Sequence, residues 1–255
     1  MGEEIDYAIE TSELVKKFGD FKALDGMNLK VKKGEVYGLL GPNGAGKTTT
    51  IRVLCGLSNP SSGEAQILGK TIPNNTISKV IGYMPQETAL YDGLTVKQNL
   101  KFFGEIFGLK KDKTIKKIHE LLRFIDLEDW KNEVTANLSG GMKHRVSLAC
   151  TLIHEPEVLF LDEPTVGVDP ELRLSFWNYF NMLKDSGITI LITTHYMDEA
   201  RHCDRVGFVK KGKIIAEGHP EDILRTTGTE SLEDAFLEFS RTCGSGNVLE
   251  GGSVQ

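Results

Sequence analysis

The run Gly41-Pro42-Asn43-Gly44-Ala45-Gly46-Lys47-Thr48 constrains this chain more than any other feature, because it fits G-x-x-x-x-G-K-[ST] in full. Glycines at these places let backbone N–H groups close around phosphate oxygens, where a Cβ would collide. Lys47 is placed to reach the β- and γ-oxygens of a nucleoside triphosphate, and the Thr48 hydroxyl is a hard oxygen donor suited to Mg2+. Glu35–Leu40 reads as a short apolar strand before the loop, and Thr48–Leu57 reads as a helix after it. The helix adds the positive end of its dipole to the same phosphate site.

The rest of the chain supplies a sheet for that unit. Val15 and Phe18 precede a Gly19-Asp20 turn, Phe21–Val31 alternates, and short strands are expected at Glu64–Leu68 and Val80–Tyr83. Two more β runs, Glu157–Leu161 and Ile188–Thr193, alternate with helical segments at Met142–Ile153 and Glu171–Lys184. Unbroken β-branched and leucine runs alternating with helices imply a parallel sheet buried on both faces. Val206–Val209 and Lys213–Ala216 form a hairpin-like pair around Lys211-Gly212. Between residues 92 and 135, Val96–Phe107 and Thr114–Ile125 carry apolar residues at helical spacing with lysines opposite, which marks a helical insert.

Composition narrows the setting. The chain has 255 residues and a formal net charge of -6, which argues against a surface devoted to nucleic acid. Cys55, Cys150, Cys203 and Cys243 are scattered without a C-x-x-C pair, as expected for free thiols rather than a disulfide frame or zinc site. No stretch approaches the ~18 consecutive apolar residues of a transmembrane helix, and the acidic start resembles no signal peptide. A soluble protein is expected, with residues 243–255 as a disordered tail.

Two further patterns bear on chemistry. Val158-Leu159-Phe160-Leu161 ends in Asp162-Glu163-Pro164, so a buried strand delivers Asp162 to the carboxyl edge of the sheet, where ligands bind in open α/β folds. There Asp162 can hold Mg2+ through water, and Glu163 can polarise an attacking water as general base. Taken alone, the same pattern equally describes a strand ending in solvated acids. Leu138-Ser139-Gly140-Gly141-Met142 opens a helix with Ser139 as N-cap and two glycines exposing its free N–H groups, a second anion site or an ordinary capped helix.

Together these motifs resemble the nucleotide-binding subunit of ABC transporters, from residue 7 to about 240. The resemblance rests on five motifs in the family's order: the phosphate loop, Gln86 after Tyr83-Met84-Pro85, Leu138–Met142, Asp162-Glu163, and His195 after Ile192-Thr193-Thr194. It implies one domain over residues 5–240: an α/β P-loop NTPase core with a mainly parallel sheet, an N-terminal antiparallel β subdomain, and a helical subdomain at about 88–138. It implies ATP and Mg2+ as cofactors. Phe18 would stack on adenine, and Gly41, Pro42, Asn43, Gly44, Ala45, Gly46, Lys47, Thr48 and Thr49 would cradle the phosphates. Thr48, Gln86 and Asp162 would serve the metal, Glu163, Gln86 and His195 would act on the γ-phosphate and water, and Ser139, Gly140 and Gly141 would bind nucleotide from the other subunit.

The resemblance further implies a head-to-tail dimer of two ATP-binding subunits, a homodimer in the simplest case, with Gly167-Val168-Asp169-Pro170 crossing the interface. A separate transmembrane permease chain would dock on the helical insert and hold the subunit at the cytoplasmic face of the membrane. Ser231-Leu232-Glu233-Asp234-Ala235-Phe236 resembles the tail of export-type, daunorubicin-resistance-like subunits. The alternative is a soluble ABC ATPase without a membrane partner, such as one serving iron–sulfur assembly. Two positions depart from the family pattern: Met142 stands where glutamine is usual, and Gln98 where glutamate is usual.

Overall fold

The computed structural model describes residues 6–242. β1 (Tyr7–Phe18) and β2 (Phe21–Lys32) form an antiparallel hairpin, joined by Gly19-Asp20 with Phe18 opposite Phe21. A loop of two residues suits the right-handed twist of such a hairpin. β4 (Ser62–Ile67) and β5 (Lys70–Thr71) extend this sheet in the order β2-β1-β4-β5. The second sheet holds β3 (Val36–Leu40), β6 (Ile81–Met84), β7 (Val158–Asp162), β8 (Thr189–Thr194), β9 (Arg205–Lys210) and β10 (Lys213–Gly218). Its order is β10-β9-β3-β8-β7-β6, parallel throughout except for β10.

Every residue of β3, β7 and β8 is buried. That is why these strands read as unbroken apolar runs: both faces of the sheet are covered. Alternate side chains still go to opposite sides. Val158 and Phe160 join the core beneath the antiparallel sheet and α1 (Lys47–Leu54). Leu159 and Leu161 join the core beneath α4 (Gly140–Leu152) and α5 (Pro170–Asp185), where Phe176, Trp177 and Phe180 are buried.

The helical insert contains α2 (Val96–Ile106) and α3 (Lys111–Phe124), close to the expected spans. Their apolar stripes (Val96 and Leu100; Ile118, Leu121 and Leu122) enter the same core as α4. α2 opens with a capping box that explains Gln98: Thr95 Oγ1 accepts from Gln98 N at 3.2 Å, and Gln98 Oε1 accepts from Thr95 N at 2.8 Å. Glutamine serves this box as well as glutamate does. α4 starts at Gly140, two residues earlier than its apolar pattern suggests, because Ser139 caps it by accepting from Met142 N at 3.2 Å.

No helix is expected from the sequence after residue 218, yet α6 (Pro220–Thr227) and α7 (Leu232–Thr242) lie there. α6 carries the usual punctuation, with Pro220 in its first turn and Gly228 at φ 66° after its end. Its two turns are too short for a clear apolar period. Cys150 and Cys203 are buried thiols and Cys55 is half-buried, and burial pushes all three above the usual thiol range. The fourth cysteine and the tail expected at 243–255 lie outside the described residues. Among the described residues no helix is long and apolar enough to cross a membrane.

The register brings the functional edge into line. Met84 pairs with Leu161, Asp162 with Thr193, and Leu40 with Thr194, so the ends of β6, β7, β8 and β3 are level. Phe160 stands at the centre of this arrangement with 0% exposure. Phe160→Ala is expected to destabilise the fold by about 3–5 kcal/mol. Equilibrium urea unfolding should show a lower midpoint with an unchanged slope.

Candidate functional site

The loop from Gly41 to Gly46 leaves β3 and enters α1 directly. Gly46 adopts φ 114°, and a Cβ there would lie 2.7 Å from Ala23 O, so only glycine fits. The loop is anchored from beneath: Gly212 N donates to Ala45 O at 2.8 Å, and Asp25 N donates to Gly212 O at 3.1 Å. The crest, Pro42, Asn43 and Gly44, is exposed. Lys47 folds back under it at 4% exposure, with Nζ donating to Gly41 O at 2.8 Å and Pro42 O at 3.3 Å. Thr48 and Thr49 sit half-buried in the first turn of α1.

Asp162 is 1% exposed, and its Oδ1 accepts from Thr193 Oγ1 at 2.6 Å and from Thr48 Oγ1 at 3.1 Å. Burial raises its pKa above the ordinary carboxylate value, while the two hydroxyls pull it back. Thr193 is the residue that sequence reasoning passes over. Only the β7–β8 register, which sets it opposite Asp162, gives it a role.

Glu163 follows in the left-handed region at φ 51°, held by its N–H donating to Thr193 O at 3.0 Å and Thr193 Oγ1 at 3.1 Å. Such a backbone costs a residue with a Cβ roughly 1–2 kcal/mol. The turn aims the carboxylate back across the strand ends. Its Oε1 lies 3.4 Å from Lys47 Nζ, and its Oε2 accepts from Gln86 Nε2 at 3.4 Å and pairs with His195 Nδ1 at 3.1 Å. Lys47, Thr48, Gln86, Asp162, Glu163 and His195 are thus brought to one place from the loops after β3, β6, β7 and β8.

Phe18 and the Ser139–Gly141 segment stand apart from this cluster. Phe18 is 56% exposed at the hairpin tip, with Lys16 Nζ 4.9 Å from its ring centre. Ser139 and Gly140 are exposed at the start of α4, and no hydrogen bond or ion pair joins them to the phosphate loop among the described residues. Gly141 permits close approach to α5, since a Cβ there would meet Leu172 Cδ2 at 2.2 Å. Met142 is half-buried, its side chain packed against the edge of the core.

The donor set suits Mg2+. A hydroxyl and a carboxylate, both hard oxygen donors, sit 3.1 Å apart, and the Gln86 amide reaches the adjoining Glu163. Among the described residues no cluster of three or more His, Cys, Asp or Glu could form an all-protein metal cage. Mg2+ does not need one, because phosphates and waters complete its shell. A separate concavity of about 560 Å³ lies over the antiparallel sheet between Tyr7, Glu10, Lys30, Arg205 and Glu217. Its charges largely satisfy one another: Arg205 pairs with Glu35 at 3.0 Å and with Glu217, and it donates to Lys30 O of β2 at 3.2 Å, which ties the two sheets together.

Comparison with known proteins places this geometry. The family model described as ABC transporter matches residues 24–166. The chain is 46% identical over 232 residues to the protein named Probable multidrug ABC transporter ATP-binding protein YbhF of Escherichia coli (strain K12), covering 90% of this chain and 40% of that protein. It is 42% identical to Nod factor export ATP-binding protein I of Burkholderia lata, covering 86% and 73%. With Daunorubicin resistance ATP-binding protein DrrA3 of Streptomyces coeruleorubidus the identity is 41%, covering 91% and 75%. The solved ATP-binding subunit of an ABC transporter superposes with a TM-score of 0.82 at 30% identity, covering 91% of this chain and 99% of that one. A dimeric post-hydrolysis ATP-binding cassette bound to ADP and Pi gives 0.75 at 27% identity, covering 83% and 98%.

The raised pKa of Asp162 has a measurable consequence. Between the unfolded and folded values the native state binds the extra proton, so stability falls as pH rises through that window. Above it the buried charge costs a constant amount. Asp162→Asn keeps an acceptor for both threonines and removes that charge. Without nucleotide or metal, its melting temperature should come closest to wild type below about pH 4, exceed it by a margin that grows as pH rises from there to the raised native value, and keep a constant margin above that. Thermal unfolding followed across pH checks this.

Proposed function

The chain belongs to the ABC transporter family, whose ATP-binding domains are ATPases, and we propose that it hydrolyses ATP to drive export through a membrane partner. The observation that carries this reading is the convergence of Lys47, Gln86 and His195 on Glu163, beside the Thr48–Asp162 pair. A lysine, an amide and an imidazole gathered on one buried carboxylate form a ready-made set of anion partners. A γ-phosphate delivered over the loop would compete for them, and Glu163 would then be free to take a proton from water.

In this reading Phe18 stacks on adenine, Gly41–Thr49 wraps the phosphates, and Lys47 turns from Gly41 O and Glu163 to the β- and γ-oxygens. His195 donates to the γ-phosphate. Thr48 and Asp162, with Gln86, hold Mg2+, which neutralises phosphate charge when bound. Ser139, Gly140 and Gly141 act on a second copy of the chain. The exposure of Ser139 and Gly140 at the start of a 13-residue helix, apart from the chain's own phosphate loop, supports that arrangement, as does the dimeric cassette among the structural neighbours. Asp169 caps α5 by accepting from Leu172 N at 2.9 Å, which holds the Gly167–Pro170 loop at the edge of the same face.

A groove of about 160 Å³ between the Gln86 loop and the helical insert is the natural docking place for a permease segment. Tyr83, Pro85, Leu90, Phe103, Phe107 and His154 line it, and exposed Tyr91 and Ile106 adjoin it. An apolar groove next to a residue that touches Glu163 offers a direct path from partner to catalytic site. The relatives' names, multidrug transport, Nod factor export and daunorubicin resistance, favour export over a soluble role such as iron–sulfur assembly.

The test is ATP turnover with size-exclusion chromatography in ATP and Mg2+. Glu163→Gln should bind ATP at least as tightly as wild type, since Lys47 loses a competing anion. It should lose turnover by at least about 10²-fold and elute as an ATP-dependent dimer. Lys47→Ala should weaken binding of a fluorescent ATP analogue. Rapid hydrolysis by monomeric Glu163→Gln would exclude both roles assigned to it.

A further inference from the structure

Glu199 lies outside every motif named above. It opens the short 3-10 turn Glu199–His202 and is 2% exposed. Its Oε2 accepts from Thr165 Oγ1 at 2.8 Å and from Thr194 Oγ1 at 3.2 Å, while its Oε1 lies 3.3 Å from Arg173 Nε on α5. Burial raises the pKa of this carboxyl, and the Thr165 hydroxyl, the Arg173 charge and the Thr194 hydroxyl oppose the rise.

The two threonines occupy matching positions. Thr165 lies inside the turn in which Val166 N donates to Glu163 O at 3.2 Å. Thr194 Oγ1 accepts from Tyr196 N at 3.0 Å, closing a turn with His195 at its centre. One buried carboxylate oxygen therefore ties together the two turns whose side chains, Glu163 and His195, meet at 3.1 Å. Arg173 adds a third element: its guanidinium lies 4.8 Å from the Tyr196 ring centre, and its backbone N–H donates to Asp169 O at 2.9 Å in the first turn of α5.

We propose that Glu199 is a positioning residue for hydrolysis, fixing the spacing of Glu163 and His195 and linking it, through Arg173, to the first turn of α5. A buried charge is costly to keep, and removing it leaves two hydroxyls without their acceptor and the Arg173 guanidinium without its nearest counter-charge. The inference rests on the catalytic reading of Glu163 and His195 given above.

The experiment uses the full chain as wild type, Glu199→Ala, Glu199→Gln, Thr165→Val and Glu163→Gln. Nucleotide-binding sites are counted by titration with a fluorescent ATP analogue, so that turnover is expressed per competent site and misfolded protein is excluded. Glu199→Ala is expected to lower kcat per site by about tenfold to hundredfold, as small misplacements of reacting groups do. KM for ATP should move much less, because the phosphate loop is untouched. Glu199→Gln keeps an oxygen for both hydroxyls and should recover most of the turnover, and Thr165→Val should show a smaller loss in the same direction. If Glu199→Ala does not fold, Thr165→Val and Glu199→Gln carry the test.

Wild-type kcat per site in Glu199→Ala and Thr165→Val, with Glu163→Gln inactive, would overturn the role of Glu199 and leave the catalytic reading standing. Equal losses in Glu199→Ala and Glu199→Gln would also overturn it, by assigning the effect to charge rather than position. Near wild-type turnover by Glu163→Gln would remove the underlying reading and this inference with it.

Discussion

A carboxylate at the end of a buried strand stays ionised only where donors surround it, and two such carboxylates side by side need twice the number. The Asp162–Glu163 pair meets this demand with groups drawn from every neighbouring loop: Thr48 and Lys47 after β3, Gln86 after β6, and Thr193 and His195 at the end of β8. Each of those loops is therefore fixed in part by the acids it serves. The left-handed backbone of Glu163 is the local cost of turning one acid toward Lys47, Gln86 and His195 while its neighbour faces Thr48 and Thr193.

The layered fold makes that convergence possible. Parallel strands buried on both faces carry no polar side chains in their middles, so their chemistry is concentrated where they end. The antiparallel sheet and α1 cover one face, and α4 with α5 covers the other. The phosphate loop is pinned to the first layer through Gly212 and Asp25, whereas Ser139 and Asp169 cap the helices of the second. The phosphate loop and the helix capped by Ser139 thus stand on opposite layers of one core. That separation suits a site completed by another copy of the chain.

Much of this was legible before any coordinates. The phosphate loop, the strand ending in Asp162-Glu163 and the capped helix at Ser139 announce themselves because each needs particular residue types in consecutive positions. The apolar runs of β3, β7 and β8 likewise betray burial on both faces. What escaped depends on register and on distance in the chain. Thr193 looks like one more β-branched strand residue until pairing sets it against Asp162. Glu199, flanked by Asp198 and Arg201, reads as a solvated acid, and nothing local reveals that Thr165, thirty-odd positions earlier, donates to it. α6 has only two turns, too few apolar repeats to define a period, whereas Leu232, Ala235, Phe236 and Phe239 of α7 do stand at helical spacing, a pattern that could have marked that helix in the sequence.

The central claim is that Glu163 gathers the partners a γ-phosphate will take, and then acts on the water that attacks it. It is tested most directly by an experimental structure of Glu163→Gln with ATP and Mg2+. The account predicts Lys47 Nζ on the β- and γ-oxygens, His195 on the γ-phosphate, and Ser139–Gly141 of a second copy closing the other side. The account would be contradicted by nucleotide bound in a single copy with Lys47 still folded onto Gly41 O and His195 remote from phosphate.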